Sequence, residues 1–240
     1  MKPIPQWMVA QVGEKGLWDG VIHHDYYILR VLADNAAKVP TVRQILSPVP
    51  DTCVEIGVGP FGLGLSAFLP EISHRYAVDP LPAVSLVSTD GSPLQSSEAV
   101  RSYMRQLRAP IQYVRGLGEE LPFRGGAFDL AICCNVLDHT SDPDAVLCQI
   151  HRVLRPGGRL FLDVDTFSAL GLVKWHAYTK HAHRHDILVT THPYRMREPG
   201  VVRQLRSAGF RLQKVNGHSF GSGLLGHARD STFLCTKASS

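Results

Sequence analysis

Three glycines in one short stretch are the first residues of this chain that could do chemistry. Gly57, Gly59 and Gly62 follow the apolar residues 53–56 and precede the helix-favouring residues 63–69. This order predicts a buried strand that turns tightly into a helix. Glycines lack a Cβ, so the backbone can take unusual dihedral angles and a ligand can approach its amides, while the helix offers its first N–H groups. The stretch therefore predicts a ligand-binding turn.

Two acids near this turn bear on the identity of the ligand. The glycine spacing also fits a dinucleotide fingerprint, and Asp79 follows at roughly the 20-residue distance of a ribose-binding acid. Residues 75–79 predict a second strand with Asp79 at its carboxyl end, where a carboxylate can accept hydrogen bonds from two ribose hydroxyls. Glu55 would repel a pyrophosphate but suits a cation, and S-adenosylmethionine carries a sulfonium and an ammonium. On these residues alone both ligands stay open.

The composition limits the class of protein. A chain of 240 residues with 44% hydrophobic content predicts one α/β domain. The 25 Lys and Arg residues exceed the 21 Asp and Glu residues only slightly and form no concentrated run, which disfavours a nucleic-acid partner. The start lacks a signal-peptide pattern, and no apolar run approaches the ~20 residues that span a membrane. We therefore expect a soluble, cytoplasmic protein with no membrane partner and reduced cysteines.

The remaining patterns predict the elements that position the turn. Residues 21–38 have apolar side chains at helical spacing, with Pro40 as the predicted stop, and a second short helix is expected at 41–46. Residues 1–50 would thus form a helical cap over the sheet or its crevice, in which Trp18 packs or lines a pocket. After a core at 51–165, we expect a lid insertion at 166–197, then a helix and β-hairpin at 198–240, all in one domain.

Four further motifs follow in order after the turn and Asp79. They are Leu121-Pro-Phe123, Phe128-Asp129, Asn135-Val-Leu-Asp-His139 and Arg152-Val-Leu-Arg-Pro-Gly-Gly158. Over residues 50–165 this succession resembles the class I S-adenosylmethionine-dependent methyltransferases, in the type 11 or UbiE-like subfamily. The resemblance implies a Rossmann-like, doubly wound α/β sheet of seven strands in the order 3-2-1-4-5-7-6, with the last strand antiparallel.

The resemblance also implies roles for particular residues around S-adenosylmethionine. Gly57 and Gly59 would hold the methionine portion, and Glu55 would support the loop or the ammonium. The other cofactor-binding residues would be Asp79 and Pro80 at the ribose, Leu117, Gly118 and Glu119 at the adenine, and Cys134 and Asn135 near the ammonium. The family's usual acid is replaced by Leu117 and Gly118, so backbone groups and Glu119 would contact the base instead.

A proton acceptor is the remaining chemical question. His139 follows the fourth predicted strand and is the best-placed base, although a structural histidine is an equally simple interpretation; His176 and His192 are second choices. His181, His183 and His185 would form a solvated or substrate-facing basic patch, and no metal site is predicted. The expected acceptor is a small metabolite or natural product. The alternatives are a donor-binding protein that acts through a partner and a nicotinamide-dependent oxidoreductase.

Overall fold

Two helices precede the sheet in the computed structural model, which describes residues 6–21, 24–81, 96–181, 194–216 and 229–238. They are α1 (Gln6–Val21) and α2 (Asp25–Arg43). Within the described ranges, four helices follow: α3 (Glu98–Arg108), α4 (Pro143–Val153), α5 (Ala169–His181) and α6 (Glu198–Ser207). No helix in these described ranges is both long and apolar enough to cross a membrane.

Seven strands form one mixed sheet. They are β1 (Thr52–Ile56), β2 (His74–Asp79), β3 (Gln112–Arg115), β4 (Phe128–Cys134), β5 (Leu154–Thr166), β6 (Phe210–Asn216) and β7 (Arg229–Lys237). Their spatial order is β3-β2-β1-β4-β5-β7-β6. Strands β1 to β5 run parallel, and β7 is antiparallel to both β5 and β6. The predicted order and the antiparallel last strand are confirmed. The order reverses between β1 and β4, which is where such sheets bind ligands.

Both faces of the sheet are covered, because the alternating side chains of each central strand meet helices on opposite sides. Val54 and Ile56 of β1 belong to the cluster that packs on α4 and α6, whereas Cys53 joins the cluster around Val39 and Val42 of α2. Central parallel strands buried on both faces read as continuous apolar runs. This packing fixes the carboxyl ends of β1, β2 and β4 along one edge.

The predicted stop at Pro40 is wrong. Pro40 lies inside α2, which continues to Arg43, so the expected separate helix at 41–46 does not form. Val39 and Val42 on either side of the proline are buried against the sheet. Their packing stabilises the last turn despite the hydrogen bond that proline cannot donate.

The helix predicted at 63–69 is shorter than expected, since only Leu65–Phe68 are helical, as a 3₁₀ helix.

The motif Pro156-Gly-Gly158 lies inside β5, because α4 ends at Val153 and β5 begins at Leu154. It lies at a register shift between β4 and β5, where Gly157 has a φ of 74°.

Candidate functional site

The glycine crest, which we define as Gly57 and Gly59, follows β1 at the point where the strand order reverses. Both residues have positive φ angles, 75° and 68°. A Cβ on Gly57 would lie 2.1 Å from Cγ2 of Val136, so the turn packs directly on the loop after β4. A side chain at Gly57 would therefore be strained and would clash. The predicted turn is present, and Val136 packs against Gly57 at its crest.

Asp79 lies beside the crest. Its Oδ2 accepts a hydrogen bond from the Gly59 N–H at 2.8 Å, and its Oδ1 accepts one from the Leu81 N–H at 2.9 Å. The side chain is half-buried, and each carboxylate oxygen can accept more than one hydrogen bond. The structure thus brings Gly59 and Asp79 together. The neighbouring Pro80 carbonyl accepts a hydrogen bond from Arg115 Nε at 3.2 Å.

Glu55 points away from the crest into the core. It is 2% exposed, and its two carboxylate oxygens accept the backbone N–H groups of Leu65 and Ser66, each at 2.7 Å. Burial raises the pKa of Glu55, and these hydrogen bonds oppose the rise. Gly64 makes room for the carboxyl, since a Cβ there would lie 2.3 Å from it. Of its two expected roles, the contacts observed for Glu55 are those of loop support.

The residues expected near the adenine form the loop after β3. Leu117 is exposed, whereas Gly118 is buried between Ile56 and Val146. Glu119 Oε1 accepts hydrogen bonds from both the backbone N–H and the hydroxyl of Ser141, each at 2.7 Å. Ser141 was not identified from the sequence. It ties this loop to the segment that leads into α4.

At the end of β4 the chain turns away sharply. Asn135 has a φ of 54°, a left-handed conformation that Asn tolerates better than most residues. Its N–H donates to the Asp163 carbonyl at 2.8 Å. Burial raises the pKa of the neighbouring Cys134 thiol, which keeps it uncharged. Both residues therefore border the crevice, with the Asn135 side chain exposed.

His139 lies beyond β4 in the short helix Leu137–His139. Its side chain is 12% exposed, and its Nε2 is 3.7 Å from Oδ1 of the buried Asp138. Helix α1 lies against this short helix. His176 is exposed on α5. The histidine patch expected at 181–185 and His192 lie outside the residues whose side chains the structure describes.

Trp18 of α1 covers the crest. Its Cζ2 atom is 3.1 Å from the position that a Cβ of Gly59 would take. The indole also makes edge-to-face contacts with Phe61 and Tyr27, at centroid distances of 5.5 Å and 6.1 Å. Helix α1 therefore lies over the crest, whereas α2 packs on the sheet, so the two helices of the cap take one each of its two expected positions.

An ion pair between α2 and the sheet was not predicted from the sequence. Lys38 Nζ of α2 donates a hydrogen bond to the buried Asp163 of β5, and Thr232 donates to the other Asp163 oxygen at 3.0 Å. The signal was available, because Asp163 interrupts an apolar strand and a buried carboxylate requires a partner. The sequence could not identify that partner, because Lys38 lies far from Asp163 along the chain.

Asp165 follows on the same face of β5, directly opposite Asp230 of β7. Burial raises the pKa of Asp165 to about 7, and a hydrogen bond and the charge of Asp230 add to the effect. The charges of Asp138 and Asp163 act in the same direction.

The crest fits a nucleoside donor. Gly57 and Gly59 carry no side chains of their own, Val136 packs against Gly57 and Trp18 against Gly59, and the half-buried Asp79 carboxylate lies beside the crest. Within the described part of the chain, no cluster of three or more histidine, cysteine or acidic side chains could hold a metal ion.

Comparison with known proteins agrees with the geometry. Residues 54–162 match a family model described as a methyltransferase domain. The chain is 41% identical over 64 residues to the ubiquinone/menaquinone biosynthesis C-methyltransferase UbiE of Psychromonas ingrahamii. That match covers 26% of this chain and 26% of the relative, so the chain spans about a quarter of the relative's length.

Two solved structures have the same fold over nearly the whole chain. One is the 1,6-didemethyltoxoflavin-N1-methyltransferase of Burkholderia thailandensis, with TM-score 0.59, 19% identity, and coverage of 99% of this chain and 92% of that one. The other is the [4+2]-cyclase SpnF, with TM-score 0.63, 15% identity, and coverage of 97% of each chain. The domain match over residues 54–162 and the sheet order together make this chain similar to the class I S-adenosylmethionine-dependent methyltransferases.

Proposed function

We propose that this protein transfers a methyl group from S-adenosylmethionine to a small-molecule acceptor by in-line displacement. The observation that carries the proposal is the position of the Asp79 carboxylate, which accepts a hydrogen bond from the backbone N–H of Gly59. The UbiE relative is named for ubiquinone and menaquinone biosynthesis, and the Burkholderia enzyme was solved with 1,6-didemethyltoxoflavin and S-adenosylhomocysteine bound. Both names support a small organic acceptor.

The residues of the site would hold the donor as follows. Asp79 would accept the ribose hydroxyls, and the crest would admit the methionine portion against its backbone. The Leu117–Glu119 loop would border the adenine, with Glu119 kept in place by Ser141. S-adenosylmethionine, when bound, supplies an electrophilic methyl group, so the chain has to position the reactants and exclude water. The cap that carries Trp18 is suited to the exclusion of water.

His139 is the group we propose for proton uptake where the acceptor must lose a proton. An imidazole can take up a proton near neutral pH, and the nearby Asp138 carboxylate would stabilise the resulting cation. His139 lies just beyond β4, next to the expected donor site. The cap contacts the same short helix, so this position is shielded from bulk water.

Binding of S-adenosylhomocysteine to the Asp79→Asn variant tests the donor site. Removal of one charged acceptor is expected to weaken binding about 10- to 100-fold, measured by titration calorimetry. Asp34→Asn, on the exposed face of α2, is the matched control and is expected to bind normally. Unchanged affinity in Asp79→Asn, or comparable binding of NAD by the native protein, would refute the assignment.

The same preparation tests His139. In His139→Gln we expect normal S-adenosylhomocysteine affinity and a loss of turnover on the order of 100-fold, with a changed pH dependence. Turnover equal to that of the native protein across pH would exclude His139 from the mechanism without contradicting the donor-site assignment.

A further inference from the structure

A groove between α4 and α6 lies apart from the glycine crest. It encloses about 750 Å³, within the range of about 300–1,000 Å³ that is usual for small-molecule sites. Its walls are the start of α4, residues 194–197 and one side of α6. Among the described residues that line it, none comes from the loops after β1, β2 or β3. A ligand in this groove would therefore not occupy the donor site.

The α6 side of the groove is positively charged. Arg197 and Arg203 are exposed there, and neither forms an ion pair with another residue of the described ranges. A third guanidinium, that of Arg195, stacks on Trp175 with its Cζ 4.4 Å from the ring centroid. Guanidinium groups match phosphate and carboxylate oxygens in shape and charge. This wall is therefore suited to an anion.

The other polar groups of the groove suit hydroxyls. Gln204 and Ser207 line it from α6, and Asp142 and Asp144 line it from α4. Asp142 caps α4 through its Oδ1, which accepts the N–H groups of Asp144 and Ala145 at 3.0 Å and 3.1 Å. Its second oxygen and the Asp144 carboxylate can accept hydrogen bonds from a ligand. An anion that also carries hydroxyl groups would bind the arginines on the α6 side and donate hydrogen bonds to the carboxylates on the α4 side.

Gly200 lines the groove without a side chain. A Cβ added there would meet no atom within 4 Å, and the buried residues Met196 and Val201 also line the groove. From this geometry we infer that the groove is a second ligand site, which binds a small organic anion of the phosphorylated-sugar class. The phosphate contacts Arg197 and Arg203, and the hydroxyls contact Gln204, Ser207 and the α4 carboxylates.

Glucose 6-phosphate is the probe for this site, followed by amide chemical shifts of the full chain at low ionic strength. We expect saturable shifts around residues 197–207, including the Gly200 amide. Glucose and inorganic phosphate, added separately, should each bind at least fivefold more weakly. If inorganic phosphate binds as tightly as the sugar phosphate, the site recognises an isolated anion and the inference is overturned.

Substitutions on α6 provide matched controls. Arg203→Gln should weaken binding at least fivefold, whereas Arg206→Gln, on the same helix but outside the groove, should change it less than twofold. Gly200→Phe should fill the groove and abolish binding, whereas Gly200→Ala is too small to do so. Equal effects of Arg203→Gln and Arg206→Gln, or binding that survives Gly200→Phe, would overturn the assignment. The titration contains no S-adenosylmethionine, so its result tests the second ligand site independently of the methyltransferase proposal.

Discussion

Carboxyl groups in this protein differ in function according to their surroundings. Glu55 is enclosed by backbone N–H groups, Asp79 bridges two loops at the edge of the sheet, and Asp165 faces another carboxyl. Each residue is an acid near the carboxyl end of a strand. Local contacts, rather than residue type, decide which of them is available to a ligand and which changes its protonation near neutral pH.

Asp165 makes stability depend on pH. Its pKa is about 7 in the folded state, compared with about 3.9 for an unfolded Asp. The folded state therefore binds the proton more tightly, so stability falls as pH rises from about 4 to about 7 and then levels off. Asp165→Asn removes this dependence. We expect the variant to be more stable than the native protein by roughly 1–4 kcal/mol at pH 8 and nearly equal at pH 4.

Urea denaturation at a series of pH values would measure this difference. Asp34→Asn on the exposed face of α2 is the control and should shift stability by a constant amount. A stability difference for Asp165→Asn that stays flat between pH 4 and 8 would show that the Asp165 pKa is not raised.

Lys38 of α2 forms an ion pair with Asp163 of β5 and lies 3.7 Å from an Asp230 oxygen of β7. Lys38 is 20% exposed at its side chain, and Asp163 is 2% exposed. Lys38→Met should lower the free energy of unfolding by roughly 3–5 kcal/mol, because it leaves a buried carboxylate without its cation. In the double variant Lys38→Met, Asp163→Asn the loss should be smaller than the sum of the single losses.

A double-mutant cycle measured by urea denaturation tests this contact. Arg30→Gln is the control from the exposed face of α2, where Arg30 and Asp34 are 3.9 Å apart and side-chain exposures exceed one half. It should cost less than about 1 kcal/mol. Strict additivity of the Lys38 and Asp163 changes would show that the two residues do not interact.

The predictability of each element depended on how local its signal was. Central strands such as β4 carry continuous apolar runs and were predicted from them. The order of the seven strands was predicted from the resemblance to the methyltransferase family. The prediction that the helix ends at Pro40 was wrong, because the packing of Val39 and Val42 on the sheet outweighs the local helix-breaking effect of proline. The length of the helix after the crest was overestimated. Only Leu65–Phe68 are helical, and the Leu65 N–H donates to the Glu55 carboxylate there.

The site was predictable only in part for the same reason. The glycine turn and Asp79 are separated by a spacing that one βα unit fixes, so they could be placed from sequence. Contacts such as Lys38 with Asp163, Glu119 with Ser141 and Trp18 with Gly59 join distant parts of the chain. No periodic pattern reports such contacts, and they appear only once the helices are packed on the sheet.

At the scale of the whole molecule, the cap and the sheet meet at Trp18. A ligand on the crest must alter the surroundings of this indole, so S-adenosylhomocysteine should change the tryptophan fluorescence. Trp18→Phe should abolish the change, whereas Trp175→Phe, at the Arg195 stack, should retain it. Persistence of the full change in Trp18→Phe would show that the donor binds away from the cap.

The position of β7 has a consequence for biosynthesis. This strand is translated after all the others, yet it lies between β5 and β6, and β6 pairs with β7 alone in the described sheet. Until residues 229–237 leave the ribosome, β5 and β6 each present unpaired backbone groups. Exposed strand edges invite pairing with other nascent chains. Insertion of β7 pairs the facing edges of β5 and β6 together, so this late step removes two of the edges that are open to such pairing.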